Sequence, residues 1–273
     1  MPTPQPHLLL NSADIEIWPA WLLVARSNAD ARRLARARWA LRRKSDGRYL
    51  AAMDAAGTLV PMVPRLIHEP GLEDALRWRP RRSFRRARAG HPAVELPMRA
   101  LEARLAALGL DAGSYAERTG LTLIAEPDWL ALAGFDRWRR PLWLRADAAR
   151  AWSRMEAAAR ADGVALDAIS GYRSHAYQLG IFERKRARGL EVADILQVNA
   201  APGFSEHHSG LALDIGTDGE PPAEESFEGT AAFGWLSDRA ASHGFRLSYP
   251  RDNPHGIVHE PWHWRWHAPE AGD

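Results

Sequence analysis

The chain has 273 residues, 46% of them hydrophobic and 26% charged, with 36 Lys and Arg, 34 Asp and Glu and no cysteine. That suffices for one large domain or two modest ones around a buried core. It excludes disulfides, thiolate metal sites and a cysteine nucleophile, without selecting a redox compartment.

The charge is unevenly placed. Residues 1–90 hold 17 Lys and Arg against 8 Asp and Glu, which leaves 19 against 26 for residues 91–273. Such asymmetry points to two units with different partners. The N-terminus, Met1-Pro-Thr-Pro-Gln-Pro-His7, has no basic n-region, and the apolar run Leu8–Leu10 is too short for a signal h-region. No stretch approaches the ~20 apolar residues of a membrane span. The expectation is a protein with no transmembrane segment, cytoplasmic unless exported by a route the sequence does not display.

Residues 8–27, with Ile15, Ile17, Trp18, Trp21 and Leu22 to Val24, read as an extended, buried segment. A short helix is expected over residues 28–38. Asp46-Gly47 between two strand-like runs is a hairpin signal, and Ala55-Ala56-Gly57 marks a second turn. Residues 36–66 therefore read as a small antiparallel meander. Residues 77–88 hold seven arginines and two aromatics. That composition suits an anionic polymer, a membrane surface or nucleic acid, but Pro80 and Gly90-His91-Pro92 favour a solvated linker, and no nucleic-acid partner is expected. The boundary is placed near residue 92, giving a basic N-terminal domain over 1–92 and a second domain over 93–273.

In the second domain, helical spacing covers residues 96–110. A short helix follows at 114–118, a strand at 121–124, a turn of helix at 128–132 and a strand at 141–144. Helices are then expected over 146–162, 175–188 (with Arg184, Lys185, Arg186 and Arg188 as its basic outer face), 192–198 and 230–243. Strands are expected over 164–169, 211–215, 245–247 and 257–266, and the acidic, Pro-containing residues 216–230 read as a loop. Helices packed on a short antiparallel sheet make the class α+β.

The chemistry concentrates in two stretches. Residues 203–214 read Gly-Phe-Ser-Glu-His-His-Ser-Gly-Leu-Ala-Leu-Asp, and residues 260–263 read Glu-Pro-Trp-His. Imidazole and carboxylate are the donors of a hydrolytic zinc site, which keeps one position open. An Asp214 buried in an apolar strand needs a partner, whether a metal, a histidine or an arginine. Neighbours on an extended chain point to opposite sides, so one of His207 and His208 faces the metal, and the spacing does not choose between them. Glu260 and His263 fall on opposite faces of an ideal strand. Pro261 forbids a regular ladder there, so a bulge or strand end can bring them together. Arg173 lies between a strand and a helix, placed to stabilise an oxyanion, bind a carboxylate or form an ordinary salt bridge.

Three motifs together, Ser170-Gly-Tyr-Arg-Ser174 with Gln178, Ser205-Glu-His-His-Ser-Gly-Leu-Ala-Leu-Asp214 and Glu260-Pro-Trp-His-Trp264, resemble the zinc D-alanyl-D-alanine carboxypeptidases and dipeptidases of the VanY/VanX type. The resemblance covers residues 115–267 and not residues 1–92. It implies the compact α+β fold shared with the hedgehog signalling domain. It also implies Zn²⁺ held by His207 (rather than His208), Asp214 and His263, with Glu260 as catalytic base and Arg173 polarising the scissile carbonyl. Ser205 and Gln178, with Tyr172 and Trp262 of the same motifs, are implied to line the substrate pocket. The implied partner is a peptidoglycan stem peptide or another D-Ala-terminated peptide, and the implied activity is removal of the terminal D-Ala. An endopeptidase or a D-Ala-D-Ala dipeptidase of the same fold is the alternative. A non-catalytic zinc-binding module is disfavoured by the presence of both Glu260 and Arg173.

Overall fold

Five short segments with buried, β-branched or leucine-rich faces form the first part of the chain: β1 (Leu8–Asn11), β2 (Ile15–Pro19), β3 (Trp39–Arg43), β4 (Tyr49–Met53) and β5 (Leu59–Pro61). The structure, a computed structural model, describes residues 7–77, 91–98 and 100–269. Its internal contacts divide the chain into two compact units, Met1–Met98 with Glu126–Leu132, and Arg99–Ala125 with Ala133–Asp273.

In the first unit the strand order is β5-β4-β3-β2-β1, followed by the leading half of β6 (Trp129–Phe135). Every pairing is antiparallel, with Leu10 opposite Ile17 and Ile17 opposite Leu41. Leu9, Leu10, Ile15, Ile17, Leu41, Leu50 and Leu130 are fully buried. Helices α1 (Asn28–Leu34) and α2 (Leu72–Arg77) complete the unit. Ser27 caps α1 by accepting the Asp30 N–H at 3.1 Å. The Asp46-Gly47 hairpin forms as expected, with Gly47 at φ +70° and a Cβ there colliding with Arg42. The extended run expected over 8–27 is instead a hairpin. Its turn closes when Ser12 donates its N–H to Ile15 O at 3.0 Å. Residues 128–132, expected to be a helical turn, are strand, because β1 pairs Leu9 with Leu130. A buried Lys44–Glu126 ion pair holds the returning segment in this unit. The arginine-rich run lies outside the described residues beyond Arg77.

In the second unit, β7 (Pro141–Leu144) neighbours β6. A separate antiparallel sheet has the order β10-β11-β9-β8, from β8 (Asp167–Ser170), β9 (Ala212–Gly216), β10 (Phe245–Leu247) and β11 (His263–Trp266). The helices are α3 (Leu101–Ala106), α4 (Ala112–Thr119), α5 (Ala146–Ala161), α6 (His175–Arg186), α7 (Val192–Gln197) and α8 (Ala231–Arg239). Alanine-rich α5 buries Ala148, Ala151, Trp152, Met155 and Ala159, a single helical stripe. The helix expected over 96–110 is only α3. Pro97 disfavours helical backbone before it, and Ala100 adopts a left-handed φ of 58°. Residues 121–124 are irregular, and the expected strand over 257–266 shortens to β11. The helix expected over 230–243 finishes as a 3₁₀ turn from Ala240 to His243. No described helix is long and apolar enough to cross a membrane.

Candidate active site

Strand register does the first part of the assembly. β11 pairs with β9 so that His263 lies directly opposite Asp214, and opposed residues of an antiparallel pair project from the same face. β9 is buried along its whole length. Asp214 Oδ1 meets His263 Nδ1 at 3.0 Å and His207 Nε2 at 3.2 Å. His207 arrives from a 3₁₀ turn, Glu206–Ser209, that ends at Gly210 with φ +68°. Successive side chains on such a turn diverge by ~120°, so the expectation of an extended chain at 207–208 is corrected. The consequence still holds: the two imidazoles separate. His207 faces Asp214 and His263. His208 turns the other way, contacting Arg173 O through Nδ1 at 2.6 Å and accepting the Gly203 N–H at 3.1 Å.

Glu260 reaches the site through a turn rather than a bulge. The His263 N–H bonds Glu260 O at 3.0 Å, with Pro261 at the second position, where its fixed φ suits a β-turn. Glu260 Oε2 then lies 3.8 Å from His263 Nδ1.

The hydrogen bonds identify which ring atoms point inward. Gly171 O can only accept, so His207 Nδ1, 2.7 Å away, carries a proton and Nε2 turns toward Asp214. His263 Nε2 lies 2.9 Å from the Glu206 carboxylate, so the proton there leaves Nδ1 facing Asp214. In their neutral forms both imidazoles aim lone pairs at a carboxylate oxygen, an arrangement that requires a cation between them. His207, Asp214 and His263 offer one donor atom each within 4.8 Å of one another, and they are the one such trio among the described residues. Two imidazoles and a carboxylate suit zinc, and three protein donors leave a position for water.

Without the cation, a proton takes its place. Burial disfavours charge on His263, but Asp214 and Glu206 outweigh it and raise its pKa to about 10. Burial, and then Arg173, lower His207 to about 4 against the pull of Asp214. Burial opposes the charge on Asp214, but the adjoining imidazoles of His207 and His263, and then Arg173, hold its carboxyl far below the usual range. For this coupled group we assign an ionised Asp214, an imidazolium at His263 and a neutral His207. Glu260 is moved the other way: burial first, aided by Asp214 and Glu206, raises it to about 7 against His263 and Arg173.

Glu206 is a functional residue that the sequence reading passed over. It accepts from His263, from Arg265 Nη1 at 2.9 Å and from Ser248 Oγ at 2.6 Å. These interactions outweigh burial and keep it ionised. The available signal was strand parity, since Arg265 shares a face with His263 two residues earlier. Metal binding must displace the His263 proton. Zinc affinity is therefore expected to rise about tenfold per pH unit up to near pH 10 and then flatten. Glu206→Gln should move that break to lower pH, as read by chelator competition. An unmoved break would remove Glu206 from this role.

A cavity of about 550 Å³ opens over the site, lined by Arg173, Gln178, Ser205, Glu260, Trp262 and Tyr249 among others. Of the expected pocket residues, Tyr172 is not among the lining residues; its N–H is used by Trp143 O on the β7 side. Buried Arg173 Nε has no hydrogen-bond partner, and neither has Gln178 Oε1, although Gln178 Nε2 is fixed on Ala200 O at 2.8 Å. Tyr249, which the sequence did not single out, packs 4.9 Å from the His263 ring.

The chain is similar to several known proteins. The family model for VanY, D-alanyl-D-alanine carboxypeptidase, matches residues 141–269. The chain is 37% identical over 134 residues to the putative carboxypeptidase YodJ of Bacillus subtilis (strain 168), covering 47% of this chain and 48% of that one. It is 34% identical over 149 residues to the bifunctional D-Ala-D-Ala dipeptidase and D-Ala-D-Ala carboxypeptidase VanXYC of Enterococcus gallinarum, covering 52% of this chain and 75% of that one. A solved structure of the vancomycin-resistance D,D-pentapeptidase VanY in complex with Zn(II) is 31% identical, covering 46% of this chain and 73% of that one, with a TM-score of 0.39. The chain thus spans about half the length of the Bacillus relative. With three quarters of VanXYC matched and the family model spanning His207, Asp214, Glu260 and His263, the chain belongs to the VanY D-alanyl-D-alanine carboxypeptidase family.

Proposed function

We propose that this protein is a zinc-dependent carboxypeptidase that removes the terminal D-Ala from peptides ending in D-Ala-D-Ala, such as peptidoglycan stem peptides or their precursors. The second unit is its catalytic domain, since every residue of the site lies there. The observation that carries the reading is the convergence of three metal donors beside a carboxylate raised to about 7, in a cavity with a free guanidinium N–H.

His207 Nε2, Asp214 Oδ1 and His263 Nδ1 would hold the zinc. Bound there, zinc supplies Lewis-acid activation of water and of the scissile carbonyl. Glu260 takes the proton of the attacking water as its oxygen bonds the carbonyl carbon, and delivers that proton to the leaving nitrogen as the C–N bond breaks. A carboxylate whose burial keeps its basicity up suits both transfers. Arg173 donates to the developing oxyanion; its positive charge is fixed before the reaction begins, so no reorganisation is needed. Ser205, Gln178 and Trp262 orient the peptide, with Gln178 Oε1 free to accept a substrate N–H.

The test is to incubate the zinc-loaded protein separately with a stem pentapeptide, with the D-Ala-D-Ala dipeptide and with cross-linked peptidoglycan, and to quantify free D-Ala and released muropeptides. Release of one D-Ala from the pentapeptide is the expected result. Cleavage of the dipeptide alone would make it a dipeptidase. Cleavage only inside cross-linked peptidoglycan would make it an endopeptidase.

A further inference from the structure

The last turn of α6 reads as a solvated basic face, yet Lys185 lines the same cavity as Arg173 and Gln178, while Arg184 and Arg186 are exposed. The helical repeat explains the difference. Seven residues turn the helix to within ~20° of its starting direction, so Lys185 shares the face of Gln178. The same seven residues advance ~10 Å along the axis. Lys185 forms no ion pair among the described residues. Burial, then Arg173 and Arg188, lower its pKa, with Glu260 opposing. The cavity thus holds an unpaired cation two helical turns from the glutamine beside the reacting centre.

We propose that Lys185 determines specificity by binding a carboxylate on the acyl side of the substrate, roughly 10 Å from the scissile bond. The assignment of side rests on the carboxypeptidase reading. There the leaving group is a single residue, which spans at most ~3.6 Å and cannot carry its carboxylate two turns along α6. The acyl portion continues beyond the scissile bond and can. Lysine suits the task, because a flexible ammonium adapts to a carboxylate whose position varies with the peptide. Lys185 is only half-buried, so the preference it confers is modest, roughly threefold to fivefold, and weakens as salt screens the pair.

The experiment uses N-acetylated peptides ending in D-Ala-D-Ala, with one D-Glu or one D-Gln at the second, third or fourth residue before the scissile bond. Binding is measured by calorimetry on the zinc-loaded Glu260→Gln protein, and D-Ala release on the protein with Glu260 intact, each with Lys185 present, with Lys185→Met and with Lys185→Arg. At one position the D-Glu peptide should bind more tightly and turn over with a higher kcat/KM than its D-Gln twin. Lys185→Met should bring that ratio to about one, and Lys185→Arg should restore it. A ratio of one at every position with Lys185 present, or a ratio that survives Lys185→Met, overturns the proposal. If the Lys185-dependent binding preference appears without any D-Ala release, the carboxypeptidase reading fails and the carboxylate subsite stands. If D-Ala is released with no such preference, the reverse holds.

Discussion

Glu260→Gln is expected to lower kcat by on the order of 10²–10⁴-fold, the usual contribution of a positioned general base, while zinc stays bound. The amide keeps the size of the side chain and cannot take a proton at neutral pH. Glu260 is outside the donor trio, so metal content measures its role separately from turnover. The same variant carries a stability signature. Glu260 is raised from 4.5 to about 7 in the folded protein, mainly by burial. A raised carboxyl contributes stability fully below the unfolded pKa of 4.5 and loses it as the pH climbs through about 7. The metal-free protein therefore forfeits on the order of 3 kcal/mol by pH 8. Glu260→Gln should recover that amount in urea denaturation at pH 8 with chelator present, and match the parent near pH 4.5. Zinc nearby favours the ionised carboxylate, so the acid limb of kcat/KM should lie below 7 in the loaded enzyme. Unchanged turnover would remove Glu260 as the base, and a pH-independent stability difference would contradict the buried ionisation.

His207→Ala is expected to abolish stoichiometric zinc binding and activity with it, whereas His208→Ala should keep the metal. Removing His207 leaves two donors and deletes the ring anchored on Gly171 O, so the site loses both a ligand and the geometry of its partner. His208 is not one of the three donors. It ties Arg173 O to the Gly203 N–H, so its loss should loosen the arginine and reduce kcat with zinc still bound. Elemental analysis of the two purified variants decides the matter. Full zinc without His207 and none without His208 would reverse the ligand assignment.

Much of the site was legible because its chemistry is local. Gly210 marks the tight turn between His207 and Asp214, the apolar residues around Asp214 mark a buried strand, and the residue types themselves name a hydrolytic metal centre. Helix α5 was equally plain, since an apolar stripe at helical spacing needs no distant partner to declare itself. Other features were decided at long range. Residues 128–132 look helical by themselves, yet pairing with β1 makes them strand, because sheet hydrogen bonds with a buried neighbour outweigh a weak local preference. Glu206 became the partner of His263 only when β11 brought Arg265 and His263 to one face above the 3₁₀ turn.

What the sequence indicated by itself was a hydrolytic metal centre built from imidazoles and carboxylates, and the α+β class, because these follow from residue chemistry and short periodicities; the preference for His207 over His208 and the roles of Glu260 and Arg173 came from the family resemblance. The tertiary structure decided the rest. The β9–β11 register sets His263 against Asp214, the Pro261 turn brings Glu260 to their side, and a 3₁₀ turn aims His207 inward and His208 away. Burial then separates the protonation of four neighbouring groups. A pKa depends on solvent exclusion and on charges from remote segments, and neither is written in the order of residues along the chain.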